Sequence, residues 1–241
     1  MMLTPSYDLV TMRDPDSPAA EAFRILRTNI SLRDFDKKIK VINVISAGQA
    51  ESKTTTILNL GYVYSQLGQK VLVIDMDLRA PTIHKKLLVR NKCGLSDVIG
   101  RRVKFNEAVV HYTEKLDILL SGTKIPFAAE FIQSDMLKKF ISELKDHYDM
   151  IFIDCPPINL VADGIVLSSL CDGTILCIAS GKDEKKELEK VKETISFSDI
   201  NILGIVMTRV PKKEFSYSNY SYGYHALDEK PKKKPKKKKE Q

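Results

Sequence analysis

Val41-Ile42-Asn43-Val44-Ile45, running into Ser46-Ala47-Gly48-Gln49-Ala50-Glu51-Ser52-Lys53-Thr54-Thr55-Thr56, is the segment from which the architecture follows. The first five residues are nearly all apolar and mostly β-branched, as expected of a strand covered on both faces. Residues 46–52 are small and polar, and 53–67 read as a helix ending near Gly68. A loop between a strand and a helix of this kind attracts phosphate through its backbone N–H groups and the helix N-terminus. A lysine there reaches the terminal phosphates, and a hydroxyl can ligate Mg²⁺. Gly48, Gln49, Ala50, Glu51, Ser52, Lys53, Thr54 and Thr55 are therefore candidate nucleotide-binding residues. Against the pattern G-x-x-x-x-G-K-[ST], Ala47 replaces the first glycine. Ser52 replaces the glycine before the lysine, where the backbone comes close to phosphate.

Outward from this loop, strands are expected at 71–74, 117–120, 150–153, 173–178 and 202–207, with helices near 17–33, 129–147, 162–170 and 183–197. Strand alternating with helix implies parallel βαβ units and right-handed crossovers. The fold class is α/β, a P-loop nucleotide-binding domain whose mostly parallel central sheet is flanked by helices. In such sheets a ligand lies beyond the carboxyl ends of the strands. Asp75 and Asp77 stand at the end of the second strand and Asp154 at the end of the fourth. Strand-end carboxylates on the phosphate side provide the hard oxygen ligands that Mg²⁺ takes together with phosphate oxygens and water.

The chain has 241 residues, 43% of them apolar and 29% charged, which fits a globular domain with one buried core. No run of about 18 apolar residues is present and the first 40 residues lack a signal-peptide pattern, so the expected compartment is cytoplasmic. Cys93, Cys155, Cys171 and Cys177 form neither a C-x-x-C pair nor a metal-ligand spacing, and Cys155 reads as a buried strand-end thiol. The formal charge of +7 is concentrated: residues 230–241 hold eight lysines and one glutamate. The remaining 229 residues hold 30 basic and 30 acidic side chains, so the domain is neutral and not a nucleic-acid binder. Four parts are expected: a flexible arm at 1–16, the nucleotide-binding domain at 17–212, a tyrosine-rich tail at 213–228 and a disordered Lys/Pro tail at 229–241.

Val71–His84, Val-Leu-Val-Ile-Asp-Met-Asp-Leu-Arg-Ala-Pro-Thr-Ile-His, resembles the second phosphate-site motif of the bacterial tyrosine kinases of capsule and exopolysaccharide systems. Glu21 to Asn29 is similar to that family's E-x-x-R-x-x-R oligomerisation helix, which marks Glu21, Arg24 and Arg27. Gly94–Ile99, Tyr148–Pro157 and Val161–Asp163 also fit, and the resemblance covers about 17–225. It implies a MinD/ParA-like P-loop fold and an ATP- and Mg²⁺-dependent protein-tyrosine kinase that phosphorylates its own C-terminal tyrosines. Lys53 would hold the β- and γ-phosphates, Thr54 would ligate Mg²⁺, and Thr55 would lie near the α-phosphate. Asp75 and Asp154 would support the metal. Asp77 would lie near the incoming phenol, as proton acceptor or as a further metal ligand. Thr208 and Arg209 stand near the base site, where the family often has Asn-Arg. The expected partners are a membrane-embedded polysaccharide co-polymerase acting as activator and further copies of the chain in a ring. The protein would thus sit at the inner face of the cell membrane.

Tyr217, Tyr220, Tyr222 and Tyr224 are four of nine tyrosines, set among Ser, Asn and Gly with no apolar partners for their rings. They are the candidate phosphorylation sites. The Lys/Pro tail reads either as a solvated end or as a segment attracted to anionic lipid. Ala50 and Ser52 keep a second reading open, that of a degenerate nucleotide-binding scaffold in the same machinery. A partition or cell-division-positioning ATPase is a third reading. Such ATPases usually carry a second lysine where Gly48 stands here.

Overall fold

Residues 8–34, 36, 38–181 and 184–211 are described by the computed structural model. The tyrosine cluster at 217–224 and the Lys/Pro tail lie outside the described residues. The chain divides into two units, Met1–Arg209 and Val210–Gln241, and every strand and helix named below belongs to the first.

The strands are β1 (Val41–Ser46), β2 (Val71–Asp75), β3 (Val109–His111), β4 (Leu116–Leu119), β5 (Met150–Asp154), β6 (Gly173–Ala179) and β7 (Ile202–Thr208). The helices are α1 (Val10–Arg13), α2 (Pro18–Arg33), α3 (Lys53–Ser65), α4 (Ile83–Lys86), α5 (Leu95–Ile99), α6 (Phe105–Ala108), α7 (Ala128–Gln133), α8 (Asp135–Leu144), α9 (Asp163–Ser168) and α10 (Glu184–Ser196). One seven-stranded sheet runs β3-β4-β2-β5-β1-β6-β7, parallel throughout except for the β3–β4 pair. Every residue of β1, β2, β5 and β6 is buried, as expected of strands covered on both faces. Alternate residues therefore enter two different cores. Ile45, Leu72, Ile74, Ile151 and Ile153 pack on one face, and Ile42, Val44, Val71, Val73 and Phe152 on the other.

The parallel register brings Asp75 of β2 opposite Asp154 of β5 and pairs Val44 of β1 with that same Asp154. The loop after β1 therefore opens directly beside two strand-end carboxylates.

Helix α3 lies close against the sheet because Gly61 has no side chain there. A Cβ at Gly61 would fall 2.8 Å from Val73 Cγ2 and 3.7 Å from Phe152 Cδ2. Val73 is β-branched and cannot swing aside. Gly61→Val is expected to cost about 2 kcal/mol through overpacking, read as a lower urea midpoint with an unchanged slope.

Three local expectations are corrected. The arm expected over 1–16 contains α1 in its second half. Leu9 is fully buried, and Thr11 N and Oγ1 both donate to Asn59 Oδ1 of α3, at 2.9 and 2.8 Å. That buried leucine and bonded threonine are enough to order a segment whose composition is polar. The single helix expected over 129–147 is broken at Ser134, which is extended (φ −67°, ψ 142°) and whose Oγ accepts from Leu137 N at 3.3 Å. An N-cap serine starts a new helix more cheaply than it continues the old one. Finally, 109–111 forms a short antiparallel edge strand, bringing the sheet to seven strands where six are expected from sequence.

Candidate nucleotide site

The segment after β1 closes on itself around Glu51. Ser46 Oγ donates to the Gly48 carbonyl (2.7 Å), and Gly48 N donates to Glu51 Oε2 (3.1 Å). Thr208 Oγ1, at the end of β7, donates to the Glu51 carbonyl (3.0 Å). Glu51 is itself buried, so its carboxylate holds the loop in shape. Thr208 acts on the site through this backbone bond, while Arg209 lines the cleft directly.

Ala50 and Ser52 have φ of +59° and +64°, in the left-handed region. An L-residue there costs about 1–2 kcal/mol relative to its preferred conformation, and glycine does not carry that cost. The loop has therefore kept a glycine-type backbone at two positions without glycine. Ser52→Gly is expected to raise stability by about 0.5–1 kcal/mol, since relief of strain exceeds the added chain entropy of glycine. Thermal unfolding measures this, and a destabilised variant would mean that the Ser52 side chain itself holds the loop.

Lys53 opens α3 and is almost fully buried, lining a cleft of about 680 Å³ that also takes in Gln49 to Thr55, Asp77 and Arg79. A cleft of this size suits a small-molecule ligand. Pro156, Pro157, Leu160 and Val161 supply an apolar wall. Thr54 Oγ1 donates to Asp154 Oδ2 (2.6 Å) and lies 2.9 Å from Thr82 Oγ1. Asp75 Oδ2 accepts from Ile83 N at 3.1 Å.

Asp75 and Asp154 are both buried, and each has one oxygen with no hydrogen-bond partner, Asp75 Oδ1 and Asp154 Oδ1. Burial, and then the charge of Asp154, push the Asp75 carboxyl well above the usual carboxylate range. Burial pushes Asp154 up to about 6, against the opposing hydrogen bond from Thr54 and the charge of Lys53. A carboxylate that takes the Thr54 hydroxyl on one oxygen and leaves the other unpartnered, opposite a second buried carboxylate in the strand register, suits a hard divalent cation such as Mg²⁺. Among the described residues no group of three or more His, Cys, Asp or Glu could hold a metal by itself. A cation here would accordingly complete its shell with phosphate and water oxygens.

Asp77 is placed differently from the other two aspartates. It lines the cleft, its Oδ1 accepts from Ala80 N (2.9 Å), and burial raises its carboxyl while Lys53 acts in the opposite direction. The strand-end Cys155 is buried, and burial drives its thiol far above the ordinary range, so it is no nucleophile. On α2, Arg24 pairs with Glu21 (2.8 Å), whereas Arg27 turns inward and donates to the Val63 carbonyl of α3 (2.7 Å).

The structure adds residues that sequence reading did not single out. Thr82 touches Thr54, and Arg79 pairs with buried Asp163 (2.7 Å), tying the segment after β2 to α9. Asp8 reaches Thr55 and Lys86 from the N-terminal segment. The one signal for Thr82 in the sequence was its place in the Asp75–His84 segment.

The chain is similar to several known proteins. A profile described as the AAA domain matches residues 39–197. The tyrosine-protein kinase YwqD of Bacillus subtilis (strain 168) is 38% identical over 216 residues, covering 89% of this chain and 90% of that protein. Among solved structures, the chimerical protein CapA2B2 superposes with a TM-score of 0.80 at 32% identity, over 85% of this chain and 90% of that one. The septum site-determining protein MinD of Pyrococcus horikoshii OT3, solved with Mg-ADP, has a TM-score of 0.58 at 26% identity, over 70% and 69% of the two chains. With a P-loop sheet, paired strand-end aspartates behind a threonine, and relatives of this closeness along nearly its whole length, the chain belongs to the bacterial tyrosine-kinase family of P-loop proteins.

Proposed function

We propose that this chain is an ATP-dependent protein-tyrosine kinase that phosphorylates a C-terminal tyrosine cluster and regulates capsular or exopolysaccharide synthesis. The observation that carries this reading is the pair of unpartnered oxygens on Asp75 and Asp154, which face each other in the register of β2 and β5, with Asp154 bonded to Thr54 at the head of α3. Structural ion pairs would satisfy such oxygens, and a metal–phosphate site leaves them open.

Lys53 and the backbone of 48–55 bind and orient the terminal phosphates. Thr54, Asp75 and Asp154 would hold Mg²⁺, which when bound neutralises charge on the transferring phosphoryl group. Asp77 faces the cleft with a carboxyl raised by burial, which suits a group that accepts the tyrosine phenol proton. The tyrosine oxygen bonds to the γ-phosphorus, the bond to the β-phosphate oxygen breaks, and ADP leaves. Phosphoryl transfer depends mostly on positioning and electrostatics, so this short inventory is chemically sufficient.

Among the described residues no helix is long and apolar enough to cross a membrane. The reading places the domain in the cytoplasm, held at the inner face of the cell membrane by a membrane-embedded polysaccharide co-polymerase that activates it. Copies would assemble through the α2 surface bearing Glu21 and Arg24, each presenting Tyr217, Tyr220, Tyr222 and Tyr224 to a neighbour.

The test is to incubate the full chain in ATP-Mg²⁺, with and without the cytoplasmic segment of its membrane activator, and to map phosphotyrosine by mass. Phosphate on residues 217–224 is the expected result. A chain that binds ATP yet stays unmodified with the activator segment present would replace the kinase with a nucleotide-binding scaffold.

A further inference from the structure

Asp8 belongs to the segment leading into α1, yet its carboxylate lies at the phosphate cleft. Its Oδ1 accepts from Thr55 Oγ1 at 3.0 Å and from Lys86 Nζ at 2.7 Å, and both donors also line that cleft. A hydroxyl and an ammonium converging on one carboxylate oxygen make the donor set that a phosphate oxygen takes. Thr55 sits in the first turn of α3, where the helix dipole favours negative charge of either source.

The carboxylate is delivered there by a firm anchor. Leu9 is fully buried, and Thr11 N and Oγ1 both bond Asn59 Oδ1. Asn59 Nδ2 in turn donates to the Asp8 carbonyl (2.7 Å) and to the Thr55 carbonyl (2.8 Å). One asparagine thus fixes the backbone of Asp8 to the helix turn that carries Thr55. The Asp8 side chain itself remains partly exposed, with 35% of its surface accessible, so it can turn away without breaking the anchor.

From this geometry we propose that Asp8 competes with nucleotide phosphate for Thr55 and Lys86. The proposal rests on the nucleotide-site reading above. Two negative groups cannot share these donors without repulsion, so nucleotide binding turns Asp8 out and releases its two partners. Lys86 closes α4, which begins just after Thr82, the partner of Thr54. Once released, its ammonium is a second cation for the phosphates beside Lys53. Asp8 is accordingly a residue that lowers nucleotide affinity and ties the N-terminal segment to the occupancy of the cleft.

The test is calorimetric titration of the full chain with ADP-Mg²⁺, for the wild type, Asp8→Asn, Lys86→Met and the double variant. Asp8→Asn is expected to tighten binding about threefold to tenfold, the range for a partly exposed charge beside an anion. Lys86→Met is expected to weaken binding, and by a larger factor in the Asp8→Asn background, where the lysine is already released. In the wild type, amide exchange over 9–13 is expected to stay slow when ADP-Mg²⁺ is added, because only the Asp8 side chain moves and the anchor at Leu9 and Thr11 holds. ADP-Mg²⁺ binding that is unchanged or weaker in Asp8→Asn than in the wild type overturns the competition and leaves the nucleotide site standing. Absence of ADP uptake by every variant would overturn both.

Discussion

Asp154→Asn is expected to abolish phosphoryl transfer and, in the metal-free protein at pH 7.5, to raise the melting temperature. Burial lifts the Asp154 carboxyl to about 6, above its value in an unfolded chain. The folded state therefore binds the proton more tightly than the unfolded one. Stability is gained as pH falls through about 6 and is diminished above it, the reverse of the usual salt-bridged carboxylate. At pH 7.5 an ionised Asp154 opposes folding, and Asp75 acts in the same direction. Asparagine removes the charge, keeps a carbonyl oxygen for Thr54 Oγ1, and can donate where two carboxylates otherwise repel. For a domain of this length each kcal/mol regained raises the melting temperature by roughly 2–4 °C. Differential scanning in a chelator checks it, and the difference between wild type and variant is expected to shrink at pH 5.5. A variant that melts lower at pH 7.5 would mean that Asp154 is neutral there or has an ionic partner. On the proposed function, activity is expected to move the other way, because the charge that destabilises the fold is the one that would hold the metal.

Lys53→Met carries the second large effect, a loss of about a thousandfold in the initial rate of phosphotyrosine formation. The ammonium is nearly buried at the first position of α3, and its field reaches both Asp77 and Asp154. Methionine fills a similar volume and keeps the apolar stem, but it removes a cation that favours ionised Asp77 and Asp154, so the melting temperature at pH 7.5 is expected to fall modestly. Lys53→Arg is expected to fail almost as completely, because a planar guanidinium needs a wider space than a single ammonium. Wild-type and variant rates are compared under saturating ATP-Mg²⁺ with the activator segment present. A residual rate within about tenfold of wild type would assign charge neutralisation to the loop backbone and Lys86 instead.

Much of this site is legible in the sequence alone, because its parts sit where local pattern and geometry coincide. Asp75, Asp77 and Asp154 close apolar runs, and the ends of buried parallel strands converge on one edge of the sheet. Lys53 and Thr54 follow a strand and open a helix, so their location required no long-range information. What periodicity could not show was the difference among the aspartates. Asp75 and Asp154 lie behind Thr54, whereas Asp77 faces the cleft, a distinction set by the register of β2 on β5 and the bend at Ala80. Asp8 was illegible for a related reason. A lone acidic residue in a polar stretch has no period, and its partners stand 47 and 78 residues away. Leu9 was the clue, an apolar residue that the composition of the stretch concealed. The break at Ser134 was legible in principle, since Ser-Asp followed by an apolar residue is a helix start inside what reads as one helix.

The left-handed backbone at Ala50 and Ser52 has a consequence for how such sites persist in evolution. The loop's own bonds at Ser46, Gly48 and Glu51, with one from Thr208 of β7, set its curvature, so its path is imposed by bonding and not granted by glycine. Glycine makes that path cheap, while these bonds make it obligatory. Mutation can therefore erase the familiar letters of the motif one at a time without moving the lysine it exists to place. Kinship among such chains is better traced through the shared course of the main chain than through its spelling.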